Sequence, residues 1–285
     1  MAGNGASTFD NKVIAITGAG SGIGRALARN LADKGAVLAL ADKDAAGLAE
    51  TRALLGNRPA STTVLDVTDI AALAAWIDGA AAEFGHLDGI INNAGLSVTA
   101  PFEATPRADF DRVMAVNFGG VVEGCRAALP HLRVAANTRG TAWLVNISSV
   151  FGMIGYPTQS AYNASKFAVR GLTEALYIEL GVTDPAITVI RVHPGGVKTN
   201  VARNAKQIAR MPGTPANVDF VAEFERSART TPEVAAATII DGMERRLPRV
   251  LIGADARFID RMTRLFPVSY FKRIGTFLGG GNRSL

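Results

Sequence analysis

Tyr162 and Lys166 stand four residues apart, a spacing that puts both side chains on one face of a helix. An ammonium beside a phenol stabilises tyrosinate and lowers a pKa that is otherwise about 10, so the tyrosine can exchange a proton near neutral pH. Pairs at this spacing are common on exposed helix faces. Here, however, no charged residue occurs from Gly140 to Ser165 and Lys166 is the first charge after that run, as a secluded reacting centre requires. A second group lies far upstream, in Thr17-Gly18-Ala19-Gly20-Ser21-Gly22-Ile23-Gly24. Glycines let backbone amides approach a pyrophosphate, and a helix opening there adds the partial positive charge of its N-terminus. Asp42 closes the next apolar run, where a carboxylate can accept both ribose hydroxyls of an adenosine and would repel a 2′-phosphate. Ser21 offers no cation for such a phosphate and Lys43 is the one dissenting residue, so the pattern favours NAD over NADP.

These groups need a scaffold that brings them to one edge. Short apolar runs at Val13–Thr17, Val37–Ala41, Thr63–Leu65, Gly89–Asn92, Ala142–Ile147, Thr188–Val192 and Val250–Ile252 read as strands. Between them Gly24–Lys34, Ala45–Leu55, Ile70–Phe84, Asp109–Leu132 and Ala161–Leu180 read as helices. Strands apolar throughout suit a parallel sheet covered on both faces. The expectation is an α/β, doubly wound Rossmann fold with a seven-stranded parallel sheet and ligands at the carboxyl ends of its strands. Residues 1–254 are expected to form one such domain. A segment at about 200–230, with Pro212, Gly213 and Pro215 in its middle, reads as a substrate lid or, failing that, as an idle surface excursion. Thr231-Pro232-Glu233 restarts regular helix.

Composition narrows the function. The single cysteine, Cys125, cannot close an intramolecular disulfide, and the three histidines have no zinc-ligand spacing. No metal is expected, and a reducing cytoplasm fits. The opening residues 1–12 do not read as a secretory signal. The uncharged stretch from Gly140 is long enough to span a membrane, but its asparagines, serines, glycines and proline would be buried without partners, so a strand and site-lining loop is the better reading. The net charge of +5 is uneven: residues 256–285 hold six basic groups and one acidic. A nucleic-acid partner is therefore not expected for the body of the chain.

Taken in order, TGAGSGIG at 17–24, Asn92-Asn93-Ala94-Gly95, Asn117, Ser148-Ser149, Tyr162-Asn163-Ala164-Ser165-Lys166 and Pro194-Gly195-Gly196-Val197-Lys198-Thr199 resemble a classical short-chain dehydrogenase/reductase over roughly Lys12 to Ile252. The resemblance implies Asn117, Ser149, Tyr162 and Lys166 as catalytic residues, with Ser149 orienting the substrate oxygen and Asn117 anchoring a water near the lysine. It implies that Gly18, Gly20, Ser21, Gly22, Ile23, Gly24 and Asp42 bind the cofactor together with Tyr162 and Lys166. It places Asp66 and Val67 at the adenine, Asn93, Ala94 and Gly95 along the cofactor cleft, and Pro194, Gly195, Val197 and Thr199 at the nicotinamide end. It also implies a homodimer or homotetramer, and interconversion of a secondary alcohol and a ketone with NAD(H). A non-catalytic dinucleotide sensor or scaffold is the alternative, and an epimerase or lyase that uses NAD transiently a third option.

The residues Val150–Pro157 are apolar and carry no cation, and with Leu96, Val98, Ile208, Met211, Phe220 and Phe224 they suggest a cleft for an apolar substrate, steroid-like, retinoid, long-chain or alicyclic. Residues 255–285 form an amphipathic, basic extension. Phe258, Ile259, Met262, Leu265 and Phe266 recur at helical spacing, Pro267 interrupts them, and Tyr270, Phe271, Ile274, Phe277 and Leu278 repeat the pattern. Packing on this or another subunit, a cover over the substrate site, and peripheral contact with an anionic membrane are three readings of it, the last not favoured.

Overall fold

The first apolar run, Val13–Thr17, is buried at every position as strand β1. Ile14 and Ile16 face one core and Val13 and Ala15 the other, which is why the run does not alternate with polar residues. The computed structural model describes residues 7–199, 201, 204–210, 222, 226 and 228–274. Beyond β1, the large sheet contains β2 (Val37–Asp42), β3 (Ala60–Val64), β4 (Gly89–Asn92), β6 (Ala142–Ile147), β7 (Ile187–Pro194) and β9 (Arg249–Ile252). Its order is β3-β2-β1-β4-β6-β7-β9, with every pairing parallel. The order reverses between β1 and β4, and the crevice beyond their carboxyl ends is where such sheets take ligands.

Helices cover both faces. α1 (Gly22–Asp33) and a later helix, α7 (Pro232–Glu244), bury Leu27, Leu31, Ile239 and Met243 on one side. α3 (Ile70–Phe84), α5 (Gly120–Arg139) and α6 (Ser160–Thr183) bury Leu73, Ile77, Leu132 and Val169 on the other. Each such side chain contributes roughly 1.5–3 kcal/mol by leaving water. α2 (Ala45–Leu54) follows β2 and is capped by Asp44, which accepts from the Gly47 amide.

Most element boundaries lie within a few residues of the sequence expectation, and the larger departures have physical causes. β3 begins at Ala60, ahead of the Thr63–Leu65 run, because strand pairing with Leu38–Asp42 fixes its register. The single helix expected at Asp109–Leu132 is three pieces: α4 (Arg107–Met114), a π-helical turn at Ala115–Gly119, and α5. Val98–Thr99 (β5) pairs with Lys206–Gln207 (β8), so this part of the expected lid is tied to the segment after β4. Lys206 adds an ion pair to Asp109 at 2.7 Å, and Ile208 packs beside Val98, Val113 and Ala161. Met211, Phe220 and Phe224 lie outside the described residues. The extension forms α8 (Ala254–Leu265) and α9 (Tyr270–Ile274). Ala256 and Ile259 of α8 bury themselves against Val150, Met153 and Ile154 of the same chain, while Leu265, Val268 and Phe271 stay exposed. Phe277 and Leu278 are outside the described residues. The uncharged Gly140–Ser165 stretch supplies β6, a 3-10 turn at Val150–Gly152 and the start of α6. Among the described residues no helix is long and apolar enough to cross a membrane.

Candidate active site

The glycine turn opens directly from β1. Gly18 has φ +67°, a conformation that costs a residue with a Cβ. At Gly24 a Cβ would lie 2.1 Å from the Gly18 carbonyl oxygen, so only glycine lets the helix approach the turn. Ser21 stands at the N-cap of α1 without a capping hydrogen bond and no acidic residue occupies the first turn. The helix end thus keeps donors and partial positive charge that its own side chains do not consume. Asp42 braces the turn, its Oδ2 accepting from the Gly20 amide at 2.8 Å and its Oδ1 from the Asp44 amide at 2.9 Å. Each carboxylate oxygen retains a further lone pair for a ribose hydroxyl. Arg25 is engaged with the Gly20 and Gly47 carbonyls and with Glu50. The glycine turn, the free helix donors and the carboxylate together fit a dinucleotide.

From the other side, the end of β4 is stapled to the turn. Thr17 Oγ1 accepts from the Asn93 and Ala94 amides at 3.0 and 3.1 Å, and Asn93 Nδ2 donates to the Thr17 and Gly18 carbonyls at 3.0 Å each. Asn93 thus shapes the cleft with its side chain turned to the loop. Thr199 comes against Gly22, which joins the 194–199 segment to the same cleft. Asp66 is exposed at the end of the third strand's loop. Burial raises its pKa, but hydrogen bonds from Thr68 and the charges of Lys43 and Arg112 outweigh that and hold it below the usual range. Val67 is buried beside Gly120.

The reacting groups meet where β6 ends and α6 begins. Ser149 lies near enough to Tyr162 for its hydroxyl to favour the phenolate, and its Oγ accepts from the Phe151 amide at 3.1 Å. Ser148 instead donates to the Lys166 carbonyl at 2.8 Å, a packing role. Lys166 is buried, with Nζ 2.9 Å from the Ile147 carbonyl and 5.6 Å from the centroid of the Tyr162 ring. Burial pulls its pKa down to about 8. The phenol moves opposite to expectation: burial pushes Tyr162 above its ordinary range, and the Ser149 hydroxyl only partly offsets it. The reason is geometric, since the ammonium is spent on a strand-end carbonyl while desolvation penalises the phenolate.

Asn117 sits in the π turn, fully buried. Its Oδ1 accepts from the Leu96 amide at 2.8 Å, and its Nδ2 donates to the Leu96 carbonyl at 2.9 Å and to Ser165 Oγ at 3.0 Å. Its amide therefore clamps the loop after Gly95 to α6. π turns recur at functional sites because they re-aim one side chain within a helix.

Three groups escaped the sequence reading. Asn163 donates to the Phe151 and Ile154 carbonyls and accepts from the Tyr156 amide, knitting the turn beside Tyr162. Asn146 receives a hydrogen bond from Asn92 at 2.9 Å and donates to Thr173 at 3.0 Å, fastening β4 and β6 to α6. His193 is fully buried in β7, with Nδ1 3.0 Å from the Ser149 carbonyl. Burial lowers its pKa to about 4, opposed by that hydrogen bond and helped by the charges of Arg249, Arg170 and Arg191. It is neutral near pH 7, so Nδ1–H donates and fixes the Ser149 backbone. Stability linked to it is complete above about pH 6.5 and is lost as pH falls toward 4, because only the unfolded chain binds the proton there; about 3 kcal/mol is at stake. In His193→Asn the melting temperature is expected to fall less between pH 6.5 and 4 than in wild type. Equal falls would contradict this role. Cys125 is buried and burial pushes its thiol up to about 12, so it is chemically inert.

Residues 12–209 match the family model described as short chain dehydrogenase. The chain is 45% identical over 269 residues to the Mycobacterium tuberculosis oxidoreductase SadH, covering 93% of this chain and 94% of that protein. It is 36% identical over 236 residues to levodione reductase of Leifsonia aquatica, covering 80% and 86%. A solved short-chain dehydrogenase/reductase from Burkholderia phymatum in complex with NAD superposes with a TM-score of 0.80 at 28% identity, covering 97% of this chain and 99% of that one.

Proposed function

The chain belongs to the short-chain dehydrogenase family, and from that premise we propose that it interconverts an apolar secondary alcohol and the corresponding ketone with NAD(H). The observation that carries the reading is Tyr162 with the Ser149 hydroxyl acting on its phenol and the buried Lys166 ammonium 5.6 Å from its ring, beside an apolar turn. A nicotinamide dinucleotide, when bound, supplies the hydride acceptor or donor. Ser149, its Oγ accepting from the Phe151 amide, can turn its one hydroxyl hydrogen from Tyr162 to the substrate oxygen when substrate is bound. Tyr162 takes the hydroxyl proton in oxidation and returns one to the carbonyl oxygen in reduction. Lys166 keeps positive charge near the phenolate, and Asn117 and His193 fix the backbones that carry the reacting groups. Gly95, Pro194, Gly195, Val197 and Thr199 line the cleft in this reading, and Asp66 and Val67 border the adenine.

The relative named levodione reductase is of the same reaction class. The apolar preference rests on the Val150, Met153 and Ile154 wall, and a homo-oligomer on the exposed Phe167, Tyr177 and Ile178 of α6. A cytoplasmic site of action belongs to the same proposal and rests on the lone buried thiol. Purified protein with NAD and a panel of alcohols tests it: turnover of apolar secondary alcohols is expected, and preference for sugars or small polyols would overturn the substrate reading.

Asp42 carries the cofactor choice. Wild type is expected to prefer NAD over NADP by about 100-fold, a difference of roughly 2.7 kcal/mol from placing a carboxylate against a 2′-phosphate. Asp42→Ser should shrink that ratio at least tenfold, chiefly through a lower KM for NADP. A wild-type enzyme indifferent to the phosphate would refute the assignment.

A further inference from the structure

We propose that Arg25 and Thr51 are positioning residues of the dinucleotide site: from behind the glycine turn they hold the Gly20 and Ala19 carbonyls, and so aim the Ser21 amide at the pyrophosphate. This rests on the reading of the site as one for a nicotinamide dinucleotide.

The turn is gripped peptide by peptide. In the Ala19–Gly20 peptide, Thr51 Oγ1 donates to the Ala19 carbonyl at 2.9 Å, and the Gly20 amide donates to Asp42 Oδ2 at 2.8 Å. Both ends of that group are satisfied inside the protein. In the next peptide, Gly20–Ser21, only the carbonyl is, since it accepts from Arg25 Nη2. The Ser21 amide has no acceptor among the described residues. A trans peptide keeps its C=O and N–H on opposite sides. Fixing the carbonyl toward Arg25 therefore turns the Ser21 amide to the other side of the turn, where it joins the free donors at the start of α1.

Arg25 suits this task because its guanidinium is a rigid fork. Nε donates to Thr51 Oγ1 at 3.0 Å, and Nη2 reaches the Gly47 carbonyl at 3.1 Å and Glu50 at 2.8 Å besides the Gly20 carbonyl. Thr51 is fully buried and also lies 3.0 Å from the Gly47 carbonyl. A Cβ on Gly47 would stand 2.8 Å from the Gly20 carbonyl oxygen, so α2 touches the very group that Arg25 holds. The two side chains thus form one brace between α1 and α2 behind the turn. Without Arg25, no other hydrogen bond among the described residues fixes the Gly20–Ser21 peptide. The pyrophosphate contact then loosens, while the adenosine end keeps its carboxylate at Asp42.

The test measures Kd for NAD, ADP and adenosine with the full chain as wild type, Arg25→Met and Thr51→Val, by competition against NADH fluorescence. Adenosine lacks the pyrophosphate. Arg25→Met is expected to weaken NAD and ADP about tenfold and adenosine less than twofold, with KM for NAD rising more than kcat falls. Thr51→Val keeps the charge of Arg25 and removes only the other arm of the brace, and should weaken NAD and ADP about threefold. Equal weakening of all three ligands would show a general disturbance of the site, and unchanged ADP affinity in Thr51→Val would leave only the charge of Arg25 at work; either result overturns the proposal. Should Arg25→Met fail to fold, Thr51→Val decides by the same comparison. Binding needs no turnover, so a wild type that binds NAD but oxidises no alcohol fails the hydride-transfer reading alone. One that binds neither NAD nor ADP overturns both.

Discussion

Replacing Tyr162 with phenylalanine is expected to lower turnover by about 10²–10⁴-fold, the range that a positioned proton donor or acceptor contributes. Nucleotide affinity should change little, because the substitution keeps the ring packed against Phe151 and deletes only the hydroxyl. The pH dependence gives the direction. Burial holds the Tyr162 phenol in its protonated form above the ordinary range, so ketone reduction, which needs that proton, is favoured at neutral pH. Alcohol oxidation needs the phenolate, and its kcat/KM is expected to climb as pH rises. In Tyr162→Phe both the activity and this climb should disappear. A variant retaining more than about a tenth of wild-type turnover would remove Tyr162 from the proton path.

Lys166→Met separates catalysis from stability. Turnover is expected to fall about 10²–10³-fold with loss of the positive charge beside the phenol, yet the fold should become more stable at pH 7. The lysine pKa is about 8 in the folded protein against 10.5 ordinarily. Between these values the unfolded chain holds more protons, so wild-type stability rises with pH through that window, and below pH 8 the whole cost of a buried ammonium, about 3 kcal/mol, is present. Methionine abolishes that cost but leaves the Ile147 carbonyl, now bonded to Nζ, without its donor, a loss of about 1 kcal/mol. The net gain of roughly 2 kcal/mol should appear as a higher melting temperature at pH 7 and a flatter profile from pH 8 to 10.5. A variant that melts lower than wild type, with the same slope, would show that the ammonium is not a strained feature of the site.

Much of this was legible in the sequence. The central strands β1, β2, β4 and β6 are apolar on both faces, as a parallel sheet between two helical layers requires, and the glycine turn, Asp42, Ser149, Tyr162 and Lys166 carry their chemistry in residue type and spacing. The π turn was not legible, because over one turn a shift from an i+4 to an i+5 ladder leaves the apolar pattern from Asp109 to Leu132 almost unchanged. Asn117 was therefore identified while its partners, Leu96 and Ser165, were not. His193 and Asn146 are single polar residues inside apolar strands, and their role depends on which neighbour the sheet order supplies. The direction of the Tyr162 shift failed for a related reason: helical spacing brings the lysine near, but only the position of the Ile147 carbonyl decides where its ammonium points. Thr51 acts on the glycine turn across 32 residues of sequence, a distance across which no local pattern carries information.

The central claim is that this chain transfers hydride and does not merely hold a nucleotide. The direct measurement is to incubate wild type and Tyr162→Phe with NAD and an apolar secondary alcohol deuterated at the carbinol carbon, then to follow deuterium by mass spectrometry. The account predicts deuterium in the reduced nucleotide with wild type and almost none with the variant. Tight nucleotide binding with no deuterium transfer from any alcohol of a broad panel would contradict it.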